Sequence, residues 1–489
     1  MKKREGALVL LTLLSCFVSL VGAASPEAVV GRWSGVLHDS GNTVSVGFEF
    51  KNENNELQAS FFCDDWDLKG VPIGKASLTD NEVKTVLFTG TLTGGARMSG
   101  NLDFGPMGVP DLKLPLALEK TAETTPVPPE KTTFRQVNAR WSFPTQAEVW
   151  SSPTVAQGVL YVGSDDGFLY ALDARTGSQK WRFQAGKGIR SKPAVGSEAV
   201  CFLSDDGYLY ALDRTSGKLK WKFDTHTALV PHTVLGDNDS RWDYLQSSPA
   251  IADGLVFVGS GNSNFYAVDM ASGQEKWHYT AGDSVRSSPR VVGNTVFFAS
   301  WDNFVYALNA ATGEEKWKFD TKGIVQASPI VAGDVLVIGS RYPYVFALDA
   351  TTGQEKWRFN YFGSWVESSA VVDSSTVYVG SSDFLHLFAI DLKNGQRKWG
   401  FKTSGYSWSS PAIANGTVYI GAARSTQRHS NAGGDLYAVD AKTGREVWRF
   451  QTGRLPDHFL QGVVSSPVVA DGLVYFGALD GRVYAVPAS

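Results

Sequence analysis

Asp173-Ala174-Arg175-Thr176-Gly177-Ser178-Gln179-Lys180-Trp181 is a tight turn followed by a tryptophan, and its pattern returns along most of the chain. The general form is Asp/Asn-x-x-Thr/Ser/Asn-Gly-x-x-x-Trp. It closes on Trp181, Trp221, Trp277, Trp317, Trp357, Trp399 and Trp448, with glycine always four residues before the tryptophan. A period of about forty residues with a fixed turn and a fixed aromatic marks a repeat architecture. The turn chemistry is legible. An aspartate can accept hydrogen bonds from amides two or three residues on, and glycine supplies the positive φ that closes a hairpin. The tryptophan then arrives at a constant distance, where it is expected to wedge between neighbouring units and bury a large apolar area. Ala171 and Ala211, shortly before the turn, leave room for it. These tryptophans therefore read as structural.

Working outward from the phrase, one unit contains four short apolar runs. Ser151-Ser152-Pro153 opens the first. Val159–Gly163 and Phe168–Leu172 are the second and third, and the tryptophan lies in the fourth. Four strands of about five residues, repeated radially, make a propeller blade. The first-strand signature recurs at Ser191-Lys192-Pro193, Ser247-Ser248-Pro249, Ser287-Ser288-Pro289, Ala327-Ser328-Pro329, Ser368-Ser369-Ala370, Ser409-Ser410-Pro411 and Ser465-Ser466-Pro467, which gives eight units. The last unit stops after its third strand. An eighth tryptophan, Trp141, stands ahead of the first full copy without a turn phrase. The expectation is an all-β chain whose eighth blade joins residues 464–487 to 139–146, leaving no open blade edge.

Ahead of the repeat, residues 25–120 alternate apolar and polar positions in short runs such as Thr43–Phe50, Glu56–Phe62 and Val83–Leu92. That pattern predicts a small antiparallel β-barrel-like domain, and its size suggests an interior filled by side chains. Gly31-Arg32-Trp33 resembles the opening of lipocalin-like barrels. Residues 121–136 read as a Pro/Thr-rich linker, held semi-extended by proline and unable to join a sheet.

Residues 1–24 have a signal peptide's layout: the charged Met1-Lys2-Lys3-Arg4, an apolar stretch from Ala7 to Val21, then small residues. Export to the periplasm or cell envelope is expected. Leu13-Leu14-Ser15-Cys16 resembles a lipobox, so lipid anchoring at Cys16 stays open beside simple cleavage, as does a retained anchor. No later segment is long and apolar enough to span a bilayer. Cys63 and Cys201 fall in different domains and read as buried thiols. The formal charge of −4 builds no basic face for nucleic acid. A monomer is expected.

The phrase Tyr-Ala-Leu-Asp-x-x-Thr-Gly-x-x-x-Trp resembles the tryptophan-docking repeat of pyrroloquinoline-quinone (PQQ) dehydrogenases. It resembles still more the non-catalytic PQQ-like propellers, such as the outer-membrane-assembly lipoprotein of Gram-negative bacteria. The resemblance covers about 350 residues, and implies an eight-bladed β-propeller. It does not imply one function. Family enzymes hold PQQ with a Ca²⁺ bound by Glu, Asn and Asp, an Asp base, and often a Cys-Cys pair. This sequence has no Cys-Cys, and carboxylates such as Glu367 and Asp302 stand isolated. No cofactor is therefore expected, and PQQ with calcium belongs only to the dehydrogenase alternative. The Asp165-Asp166-Gly167 and Asp205-Asp206-Gly207 turns lack the spaced oxygen ligands of an ion loop.

Two sets of residues are candidates for binding. Three expanded loops should leave one face of the ring: 224–245 with His232, Arg241 and Trp242; 423–435 with Arg428 and His429; and 452–463 with His458. Rigid scaffolds usually carry function in such loops. The second set stands just before each first-strand signature: Trp150, Arg190, Gln246, Arg286, Gln326, Glu367, Trp408 and Val464. If first strands surround the channel, these sit at its mouth, where two arginines and two tryptophans could hold an anionic or planar ligand. The resulting expectation is a non-catalytic platform for an envelope protein or peptide. A PQQ-dependent dehydrogenase of alcohols or sugars and small-ligand sensing at the mouth are the alternatives.

Overall fold

The structure is a computed structural model. It describes residues 26–39, 42–53, 56–63, 68–93, 96–103, 113–121, 135–225, 247–361, 364–382, 384–425, 434–453 and 460–489. The chain divides into two compact units, residues 1–133 with 359–364, and residues 134–358 with 365–489.

The first unit is an antiparallel sheet of nine strands: β1 (Gly31–Asp39), β2 (Asn42–Glu53), β3 (Glu56–Cys63), β4 (Leu68–Lys75), β5 (Ser77–Thr79), β6 (Glu82–Lys84), β7 (Phe88–Thr93), β8 (Arg97–Asp103) and β9 (Lys113–Thr121). The order β4-β3-β2-β1-β9-β8-β7-β6-β5 curls it into a nearly closed barrel, because β4 and β5 are separated only by Ala76. Alternation does the sorting. In β2 the burial pattern puts Val44, Val46, Phe48 and Phe50 inward. Phe48 packs against Phe50, Phe61 and Phe88 with ring centroids 5.3–6.1 Å apart, so side chains fill this part of the interior. Trp33 is fully buried, donates its indole N–H to Val29 O at 2.7 Å, and lies under the Lys120 ammonium. The run Val83–Leu92 is not one strand but two. Thr85 Oγ1 accepts the amides of Leu87 and Phe88, a hydroxyl turn that breaks the alternation between β6 and β7.

Among its described residues the second unit contains eight sheets, seven of four strands and one, blade 7, of six, where Arg135–Gln136 and Leu460–Gly462 add to the four. Blades 1 to 7 occupy residues 154–184, 194–224, 250–280, 290–320, 330–360, 371–402 and 412–451. Blade 8 orders Trp141–Pro144 beside Arg482–Pro487, then Leu473–Ala478, then Val468–Ala470. Trp141 pairs with Ala485 and Pro144 with Arg482. The first strands of successive blades touch one another, and those of blades 8 and 1 touch as well, so the ring is closed around its axis.

At each turn the phrase works as its chemistry requires. Asp173 Oδ1 accepts the amides of Arg175 (3.2 Å) and Thr176 (3.0 Å) and the Thr176 hydroxyl (3.0 Å). Gly177 has φ +74°, and a Cβ there would meet the ring of Trp141 at 2.6 Å. Glycine is thus needed both for the backbone and for the ring laid on it. The Trp141 indole donates to Ala174 O at 2.9 Å. The same docking joins Trp181, Trp221, Trp277, Trp317, Trp357 and Trp399 to the following blade. Each side chain contributes roughly 2–4 kcal/mol of gross apolar burial.

Trp448 differs. The third and fourth strands of blade 8 are not consecutive, so no hairpin turn lies there to receive it. Its indole N–H is buried with no partner among the described residues. Val137 and Ala139 pack against its cluster instead, and Arg135–Gln136 just before them adds to the outer strand of blade 7 in parallel, with Arg135 opposite Trp448. Val137 N–H donates to Arg449 O at 3.2 Å. The linker segment therefore does end in a sheet. The prolines that argued otherwise, Pro126, Pro128 and Pro129, precede this two-residue strand.

Candidate functional site

The residues preceding the first strands form a band at one end of that ring, and the junctions at Arg190, Gln326, Glu367 and Trp408 build it in the same way. The turn between the second and third strands of one blade abuts the entry to the first strand of the next. Arg190 grips Asp165 with two hydrogen bonds of 2.9 and 2.8 Å, and its Nε lies 3.7 Å from Asp205. The Trp301 indole donates to Gln326 Oε1 at 2.8 Å. Arg341 donates to Glu367 at 2.8 Å, and the Trp408 indole to Ser382 Oγ at 2.8 Å. Between blades 7, 8 and 1, Trp150, Val464, Leu479 and Ala423 make an apolar cluster, with Trp408 and Leu460 against it.

Aromatic faces link these pairs sideways. Arg190 stands 5.6 Å from the Trp150 ring centroid and Arg286 stands 5.6 Å from that of Trp301. Arg341 lies 5.5 Å from Trp301 and 4.7 Å from Trp365. Tyr406 stacks on Trp408 at 4.9 Å. Each such cation–π contact is worth about 0.5–2 kcal/mol, more where water is excluded. Arg286 is only 4% exposed, so it belongs to the wall as much as to the surface. The band thus has an aromatic and aliphatic sector at blades 7, 8 and 1, and an arginine–indole sector at blades 4 to 6.

The structure therefore brings Arg190, Arg286, Gln326, Glu367, Trp150 and Trp408 into one band. Gln246, His232, Arg241, Trp242, Arg428, His429 and His458 lie outside the described residues. Sequence reasoning missed half of the band: Asp165, Asp205, Trp301, Arg341 and Ser382, together with Trp365 and Tyr406. A signal was present, because the position after the serine in Ser164-Asp165, Ser204-Asp205, Ser300-Trp301 and Ser340-Arg341 varies as strongly as the position before Ser-Ser-Pro.

The other acidic turn residues are tied down. Asp166 accepts the Tyr170 hydroxyl (2.8 Å) and the Gln146 amide (2.9 Å). Asp206 takes Tyr210 (2.6 Å) and the Gly186 amide (2.8 Å), and Asp302 takes Tyr306 (2.6 Å) and the Gly282 amide (2.6 Å). Asp480 does the same with Tyr484 and Gly453. Each is a pin across a blade junction. Burial first, and the carboxylate second, push the phenol pKa of all four tyrosines upward. Among the described residues no group of three or more His, Cys, Asp or Glu is placed to hold a metal ion. Cys63 and Cys201 are both buried, and burial raises the Cys201 thiol to about 12.

Similar proteins share this architecture. The chain superposes on BamB from Moraxella catarrhalis with a TM-score of 0.57 and 17% identity, covering 72% of this chain and 98% of that one. A europium-containing methanol dehydrogenase gives 0.56 and 14%, covering 72% and 93%. The quinohemoprotein alcohol dehydrogenase from Comamonas testosteroni gives 0.56 and 17%, covering 72% and 76%. At these identities the likeness is one of fold. No curated protein sequence matches the chain. Across residues 135–241, 233–329 and 302–489 the sequence fits the family described as outer membrane protein assembly factor BamB, and the chain belongs to that family.

Proposed function

We propose that the propeller is a non-catalytic platform that binds a protein or peptide in the cell envelope. The observation that carries this reading is the family match, which spans the whole propeller and whose description names assembly of outer membrane proteins. The band at the end of the first strands supports it. Arg190 and Arg341 are neutralised in place by Asp165, Asp205 and Glu367, and the indoles of Trp301 and Trp408 are fixed by hydrogen bonds. Such a surface is preorganised, and rigid aromatic and arginine anchors are the side chains that dominate protein interfaces. The expected address is the envelope, reached through the signal-like residues 1–24.

The dehydrogenase alternative draws on the two alcohol-oxidising dehydrogenases of the same fold, one of them a quinohemoprotein. One pair of measurements separates the two readings. A photo-reactive amino acid placed at Gln326 or Trp408 in the full chain should cross-link one envelope protein in cells, and Arg341→Glu should abolish that product. Purified protein given PQQ and Ca²⁺ should reduce no dye with alcohols or sugars. Turnover in the second assay overturns the platform reading.

A further inference from the structure

Beneath the band, a belt of hydrogen bonds encircles the axis. The amide of each residue at the second position of the first-strand signature donates to the hydroxyl of its counterpart in the following blade. The steps run Lys192 to Ser248 (2.9 Å), Ser248 to Ser288 (2.9 Å), Ser288 to Ser328 (2.9 Å), Ser328 to Ser369 (2.8 Å), Ser369 to Ser410 (2.9 Å), Ser410 to Ser466 (3.0 Å) and Ser466 to Ser152 (2.9 Å). The eighth step is missing, because Lys192 stands where an eighth serine would accept the Ser152 amide.

Two features make this more than a seam. Each of the seven hydroxyls accepts an amide, and none donates its own proton to a described acceptor. All seven serines are partly accessible to water. An amide that donates to a hydroxyl polarises it and strengthens its onward donation. The second feature is Lys192 itself. Its ammonium makes no ion pair or hydrogen bond among the described residues, and it is open to solvent. The surrounding protein nonetheless lowers its pKa by desolvation. Both observations hold for a side chain projecting into an enclosed space along the axis of the closed ring. The neighbouring charges do not neutralise it. In the segments equivalent to 150–156 of the eight blades the carboxylates are Glu367 and Asp373, and Glu367 is held by Arg341.

We propose that the axial channel binds a small free oxyanion, a phosphate or carboxylate, at the gap in this belt. The Lys192 ammonium supplies the charge, and the hydroxyls of Ser152 and Ser248 on either side supply directed donors. An oxyanion there satisfies two kinds of group at once: a cation with no ion pair or hydrogen bond among the described residues, and polarised hydroxyls. The site is distinct from the band above it, where the arginines already have carboxylates or indole faces.

The test uses the full chain, with phosphate, acetate and chloride compared at equal ionic strength by calorimetric titration and thermal unfolding. Phosphate or acetate should bind and raise the unfolding temperature while chloride does not, since binding to the folded state alone stabilises it. Lys192→Ser completes the belt with the residue used in the other blades, so it should fold at least as well as the parent. Its oxyanion affinity should fall about tenfold or more, the value of one charge-assisted hydrogen bond. Lys192→Arg should retain binding. Equal affinity in Lys192→Ser, or no oxyanion effect in the parent chain, overturns the proposal.

Discussion

Replacing Trp357 by phenylalanine takes away the indole N–H that reaches Leu392 O at 2.8 Å. The partly buried Leu392 carbonyl loses that donor, at a cost of about 1 kcal/mol beyond the lost ring volume. Trp448→Phe removes an N–H that donates to nothing among the described residues, so it should cost the ring volume alone. Urea unfolding should show the larger shift for Trp357→Phe, and equal shifts would mean that the docking bond contributes nothing. The turn aspartates make a second prediction at this scale. The Ser272 amide, then its hydroxyl, holds Asp269 down at about 2, and the Thr352 amide with Lys356 does the same for Asp349, both from an ordinary 3.8. A depressed carboxyl stabilises the fold fully above its unfolded pKa and loses that contribution as pH falls through the folded value. The thermal midpoint should therefore hold above about pH 4 and fall between about pH 4 and 2. Asp349→Asn should blunt that fall. Asn309 shows that an amide can make the same turn, since its Oδ1 accepts the amides of Ala311 and Thr312.

At the scale of strands, alternation and turn residues made the hairpins legible because each is local. The second and third strands of every blade are short apolar runs bounded by Gly and Asp, and they pair as the sequence suggests. What stayed hidden depends on neighbours distant in sequence. Asp165 and Arg190 are twenty-five positions apart, and only knowledge that one blade's turn abuts the next blade's entry unites them. The Thr85 turn depends on a side-chain hydroxyl that interrupts an otherwise regular run. The strand Arg135–Gln136 is too short to carry a period, and its parallel pairing is set by where the chain emerges beside blade 7. That strand is testable. Val137→Pro deletes the N–H that donates to Arg449 O and should cost about 1–3 kcal/mol. Hydrogen exchange should speed up in residues 446–451, next to the lost strand. The corresponding strand of blade 2, residues 219–224, should be unchanged. If both respond equally, the strand is not a local cover for Trp448.

For the whole propeller the decisive place is blade 8, where Trp141–Pro144 meets Arg482–Ala485 and residues far apart in sequence complete one sheet. A ring of blades distributes its apolar contacts over successive joints, so each joint depends on both neighbours being present. Opening blade 8 exposes two joints at once, the docking of Trp141 on Gly177 and the cover over Trp448. Loss of that blade should therefore precede or trigger loss of the rest. Pro144 and Arg482 face each other there, both exposed. The adjacent ladder bond runs from Thr145 N–H to Gly481 O at 2.8 Å, so this pair is one whose amides do not bond each other, and proline costs nothing in it. Cysteines at such a pair sit close enough to bridge. Pro144→Cys with Arg482→Cys should form a disulfide closing a loop of more than three hundred residues, for which chain entropy allows up to about 5 kcal/mol. The oxidised protein should unfold at a temperature several degrees higher than the parent, and adding reductant should remove the gain. Cys63 and Cys201 are buried and should not interfere. If oxidised and reduced forms unfold together, the ring gives way at another joint and blade 8 is not its clasp.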